Sequence, residues 1–71
     1  MILIGERLKE KRKSKQLNQT QTAKLLNISQ GTYAGYETNK HNPDIETLAK
    51  IADIFETSMD YLAGRYNQNN P

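Results

Sequence analysis

No cysteine occurs anywhere in the 71 residues. That absence constrains the fold more than any other feature. A chain this short buries only about 60% of the surface its unfolded form exposes, and domains of this size are commonly stapled by disulfides or a metal. Without cysteine there is neither a disulfide framework nor a thiolate metal site. The single histidine, His41, lacks the companion ligands a zinc site requires. Stability must therefore come from helix packing, or partly from oligomerisation, and no cofactor or metal is expected.

The hydrophobic pattern is helical throughout, with no sustained two-residue alternation that would mark a sheet. Ile4, Leu8 and the stem of Arg12 recur at helical spacing, predicting a first helix over residues 2–15. Asn18 with Gln21 three residues on has the spacing of a capping box, starting a second helix that runs to about Leu26. Asn27 tolerates the left-handed conformation that ends it. Ser29 caps a third helix reaching about Thr38, and Asp44 caps a fourth over about Ile45–Phe55. Ile45, Leu48, Ala49, Ala52 and Phe55 keep helical period along that fourth helix. Ser58 caps a last short helix that Gly64 ends. The expectation is an all-α domain over residues 1–64, followed by a polar, Asn-rich tail or linker over 65–71.

No stretch approaches the ~20 apolar residues of a membrane span. The start "MILIGERLKEKRKSK" runs apolar then charged, the reverse of a signal peptide. A soluble, cytoplasmic protein without membrane contact is expected. Charge is unevenly placed. Residues 1–43 hold eight Lys/Arg against three acids, and residues 44–71 hold two against five. A basic front half is compatible with a polyanion partner on one face, and equally with a solvated Lys-rich helix face.

The stretch "SQGTYAGYE", Ser29–Glu37, carries Gly31 and Gly35 inside a helix. Each interior glycine costs roughly 1 kcal/mol relative to Ala. On a helical wheel Tyr33 and Tyr36 fall on one side, as the large anchors for the core. Gln30, Gly31, Ala34 and Gly35 fall on the other. A solvated face would ordinarily carry Lys, Glu or Gln. Either this face approaches another molecule closely, as a helix does in a DNA major groove, or the glycines are neutral drift. The helix alone leaves both open.

From Leu17 to Gly64 the sequence resembles the helix-turn-helix domain of the Cro and phage-repressor family, the XRE-like transcriptional regulators. Gln19, Ala23, Ile28-Ser29, Tyr36-Glu37, Asn39-Lys40, Asn42-Pro43 and Ser58-Met59-Asp60 carry the resemblance. It implies a five-helix phage-repressor-like fold and sequence-specific binding of double-stranded operator DNA. Gln30 to about Gly35 would be the recognition helix, with Ser29, Gln30, Gly31, Thr32, Ala34 and Gly35 at the DNA. Gln19 would meet a phosphate at a helix N-terminus, and Asn39, Lys40 and Asn42 would lie on the backbone after the recognition helix. An Arg12–Glu37 ion pair would join the first and third helices as a structural element. A repressor acting as a homodimer on a palindromic site follows from the same resemblance. The chain departs from the family where glycine is usual, at Asn27, Asn39 and Glu56, and the fourth helix is expected to end differently at Glu56. It also departs at Gly31 and Gly35, where the family often carries Arg, Lys or Gln.

A rival from another class is a protein-interaction module of the same fold, such as an antitoxin-like partner. Catalysis is not expected: acids are scattered on predicted solvent faces, and Ser29 and Ser58 are explained as caps. His41 reads as an exposed loop residue or, when protonated, a phosphate contact.

Overall fold

A computed structural model describes residues 4–64 of the chain. It places five helices in order: α1 (Gly5–Ser14), α2 (Gln19–Leu26), α3 (Gln30–Glu37), α4 (Ile45–Phe55) and α5 (Met59–Leu62). There is no strand among the described residues. The expected tail over 65–71 and the apolar start Met1–Leu3 lie outside them.

Local chemistry sets the helix starts. Asn18 Oδ1 accepts from the Gln21 backbone N–H at 2.7 Å, and Gln21 Oε1 accepts from the Asn18 backbone N–H at 2.9 Å. This reciprocal box satisfies two donors that a helix start leaves without partners. Asp44 accepts from Thr47 N at 2.8 Å, and Ser58 Oγ from Tyr61 N at 2.9 Å. Asn27 ends α2 at φ 60°. Glu56 ends α4 in the same left-handed conformation, φ 54° and ψ 48°. The expectation that α4 would end differently for want of a glycine is therefore overturned. Thr57 N still closes onto Ala52 O at 2.9 Å, so the terminal hydrogen bonding holds a non-glycine residue in the strained region.

Five side chains of the core are wholly buried or nearly so: Leu8, Tyr33, Ile51, Phe55 and Leu62, from α1, α3, α4 and α5. Each such residue is stabilised by about 1.5–3 kcal/mol relative to exposure. Ala23 and Leu26 add α2. On α4 the buried face is Ile51, Ala52 and Phe55, with Leu48 packed against it. Ile45 shares the helical period of this face and is nevertheless 76% exposed. It is the first residue of α4, more than a full turn before the buried Ile51, Ala52 and Phe55.

Gly5 is a requirement of packing. A Cβ there would stand 2.1 Å from Glu37 O, so α1 begins in contact with the last turn of α3. Gly5 N donates to Asn39 Oδ1 at 2.9 Å. Asn39, at φ 63°, thus turns the chain out of α3 and caps α1 with its side chain.

Candidate nucleic-acid interface

Only Asn27, Ile28 and Ser29 separate α2 from α3. A turn this short makes the two helices cross and leaves one face of the second protruding. Ser29 Oγ accepts from Thr32 N at 3.1 Å and donates to Thr32 Oγ1 at 2.8 Å. The two hydroxyls are joined at the N-terminus of α3. Tyr33 and Tyr36 turn inward and are buried, as the wheel requires.

The outer face of α3 carries Gln30 and Gly31, both exposed, with Thr32 and Ala34 half-buried. A Cβ at Gly31 would meet nothing within 4 Å. Gly35 is placed differently from the sequence reading. It is buried, and a Cβ on it would stand 2.3 Å from Cε1 of His41. The imidazole lies over the bare Cα, with Nε2 3.2 Å from Thr32 O and its ring edge-on to Tyr36 at 5.2 Å between centroids. Gly35 is therefore not part of the open surface, because a neighbouring ring needs the space. The signal for this was a histidine six residues after a glycine, across a loop whose path the sequence does not specify.

A polar chain runs from α1 to this face. Arg12 Nε donates to Glu37 Oε2 at 2.7 Å and Nη2 to Oε1 at 3.2 Å. The two side chains are 10% and 4% exposed, so the pair is largely buried. Arg12 Nη1 also donates to Leu17 O at 2.9 Å. Gln19 Nε2 donates to Glu37 Oε1 at 3.0 Å, and Gln19 Oε1 accepts from Gln30 Nε2 at 2.8 Å. The expected Arg12–Glu37 pair is thus present and extends through α2 to Gln30. Gln30 keeps its carbonyl oxygen and one N–H for another partner. Burial pushes the Glu37 carboxyl up, but hydrogen bonds from Arg12 and Gln19 and the charge of Arg12 outweigh it and hold the group below its ordinary value. Burial pushes the Tyr33 phenol far above its ordinary range, assisted by the adjacent Glu37 carboxylate. The Tyr36 phenol is raised by burial and, secondarily, by Asp44.

Beyond α3, Lys40 and Asn42 are exposed on the loop, and their side chains have no hydrogen-bond or ion-pair partner among the described residues. Asn39 sits beside them, but its Oδ1 is engaged by Gly5 N. The structure thus brings Gln19, Ser29, Gln30, Gly31, Thr32 and Ala34 to one surface, with Lys40, His41 and Asn42 at its margin. No group of three or more His, Asp or Glu able to hold a metal occurs among the described residues. No described helix is long and apolar enough to cross a membrane.

Residues 8–62 match the helix-turn-helix family. Over 63 residues, covering 89% of the chain, the sequence is 48% identical to the HTH-type transcriptional regulator AnsR of Bacillus subtilis, 54% of which is covered. It is 43% identical over 63 residues, again 89% of the chain, to the cryptic phage CTXphi transcriptional repressor RstR of Vibrio cholerae, 56% of which is covered. The chain spans about half the length of the curated relatives it matches. Its fold is similar to the P22 c2 repressor protein solved in complex with a synthetic operator, with TM-score 0.84, 26% identity, and coverage of 93% of this chain and all of that one.

Proposed function

The chain belongs to the helix-turn-helix family of XRE-like and phage-repressor regulators, and on that premise we propose that it is a sequence-specific DNA-binding repressor that lays α3 in the major groove of an operator. The observation that carries this reading is the outer face of α3. It has a protruding amide, Gln30, oriented by Gln19. Beside it stand Gly31 with open space above and the small residue Ala34. A major groove admits a helix, and an amide offering both acceptor and donor matches adenine. The likeness to a repressor solved on its operator supports the same reading.

The parts divide by role. Gln30 reads a base edge, Thr32 is a second groove contact, and Gly31 and Ala34 let the helix backbone approach. Ser29 orders the start of α3. The Gln19 side chain is held by Glu37 and Gln30, so its phosphate contact falls to its backbone N–H at the start of α2. Lys40 and Asn42 meet phosphates beside the groove. Residues 1–64 form the DNA-binding unit, acting in the cytoplasm as a homodimer on a palindromic site. Exposed Ile45 offers apolar surface for the second copy.

Selection from random duplex DNA tests the reading directly. A recovered motif with two half-sites about one helical turn apart is the expected result. Affinity for that duplex should fall with salt at a log–log slope on the order of −2 to −4 per monomer, because only a few cationic groups release counterions. Gln30→Ala should weaken the selected site by about 1–3 kcal/mol and relax one position. Lys40→Ala should weaken all duplexes alike. Binding that does not change with salt would sink the proposal.

A further inference from the structure

His41 stands at the margin of the α3 face, in the loop between exposed Lys40 and Asn42. Three contacts fix its ring. Nε2 lies 3.2 Å from Thr32 O, the ring is edge-on to Tyr36, and its Cε1 edge covers Gly35. A carbonyl oxygen can only accept, so Nε2 carries a hydrogen. In the neutral imidazole Nδ1 is then a bare lone pair. Nδ1 has no partner among the described residues. Glycine at position 35 is what lets the ring sit here, since a Cβ would stand 2.6 Å from Nε2 and 3.0 Å from Nδ1.

We propose that His41 is a DNA-backbone contact that donates Nδ1–H to a phosphate in its protonated form, so that DNA binding takes up a proton. The assignment rests on α3 being the groove helix. With Nε2–H held by Thr32 O, the neutral ring has only a lone pair for a second partner, and a phosphate oxygen repels it. Protonation converts Nδ1 into a charged donor, the stronger class of hydrogen bond to an anion. Imidazole is the side chain whose charge ordinarily changes between about pH 5 and 8, which sets the range in which the proposal is to be tested.

The surrounding charges do not supply the same response. From α3 the ring faces the Tyr36 phenol, raised above its ordinary range by burial and by Asp44, and so neutral throughout. Glu37, also on α3, is turned to Arg12. From the loop the neighbouring charged groups are Lys40, and Asp44, whose carboxylate caps α4 and is held below its ordinary value by Thr47. A phenol held above its ordinary value and carboxylates held below theirs do not change charge between about pH 5.5 and 7.5.

Binding to the selected duplex at fixed ionic strength, followed by fluorescence anisotropy at pH 5.5, 6.5 and 7.5, tests the assignment. Proton uptake on binding should tighten the complex several-fold per chain from about pH 7.5 to 5.5, and more steeply for a dimer. His41→Gln keeps a neutral donor for Thr32 O and cannot titrate, so the acid gain should be lost. Gly35→Ala keeps the imidazole but displaces it, and should lose most of the gain as well. Circular dichroism confirms that each variant is folded at both ends of the range. Wild-type binding without an acid gain, or a gain that persists in His41→Gln, overturns the role of His41 and leaves the groove reading intact. Absence of DNA binding at every pH instead overturns the groove reading itself.

Discussion

Gly31 and Gly35 stand one helical turn apart, and the structure gives them opposite environments. Nothing approaches the position of a Cβ on Gly31, so alanine there gains only the backbone entropy that glycine loses on folding. Gly31→Ala should raise the stability of the free protein by about 0.5–1 kcal/mol in urea unfolding. Gly35→Ala has the same intrinsic gain but must evict the His41 ring, 2.3 Å from the new methyl. The ring is the exposed end of a movable side chain, so eviction is possible but removes the Thr32 and Tyr36 contacts. Gly35→Ala should therefore stabilise less than Gly31→Ala, and the two should become equal in a His41→Ala background. Equal effects in the presence of His41 would contradict the packing. Gly5 is the harsher case: its missing Cβ faces backbone, Glu37 O at 2.1 Å, which cannot swing aside.

Every helix after α1 begins with a side-chain cap, yet the left-handed residues that end the elements differ in what else they do. Glu56 at φ 54° takes a conformation that disfavours any side chain, and its one tie is an exposed ion pair with Lys15. Glu56→Gly should raise the urea midpoint, because exposed pairs contribute little. Asn39 at φ 63° also supplies a side-chain cap at the start of α1, through Gly5 N. Asn39→Gly should lower stability by about 1 kcal/mol despite relieving the backbone. Glycine at both positions acting with the same sign would contradict this division. The contrast also explains what could be read from the sequence. Asn18 with Gln21, Ser29, Asp44 and Ser58 act within three residues, so spacing revealed them. The Arg12–Glu37 pair was reached only through family resemblance. Asn39 at Gly5, His41 over Gly35 and the exposure of Ile45 depend on where distant elements lie, and no local pattern encodes them. The α3 face was legible because helical period alone separates Tyr33 and Tyr36 from Gln30 and Gly31; Gly35 was misplaced because the wheel does not include the loop that returns over it.

For the molecule as a whole, one carboxylate joins three helices. Glu37 on α3 receives Arg12 from α1 and Gln19 from α2, and Arg12 reaches the loop carbonyl of Leu17. Arg12→Ala leaves that carboxylate buried without its cation, a change that costs about 3 kcal/mol or more. Acid acts on the same point. Hydrogen bonds and charge from Arg12 and Gln19 outweigh desolvation and hold the Glu37 carboxyl below the ordinary glutamate value of 4.5. A depressed folded value means the unfolded chain binds the proton first, so the contribution is complete above about pH 4.5 and lost as pH falls through and below it. The melting temperature should therefore drop between about pH 5 and 3. Asp44 and Glu56, also held below their ordinary values, add to that drop. Glu37→Gln should melt lower than wild type at pH 7, because a neutral amide leaves the Arg12 charge unmatched, and its acid decline should be shallower. The two curves should converge as acid neutralises the wild-type carboxyl, which happens below the ordinary glutamate value because the folded state holds the group charged. Melting curves that stay parallel from pH 7 to pH 3 would mean that the buried pair does not govern acid stability, and that the surface acids do.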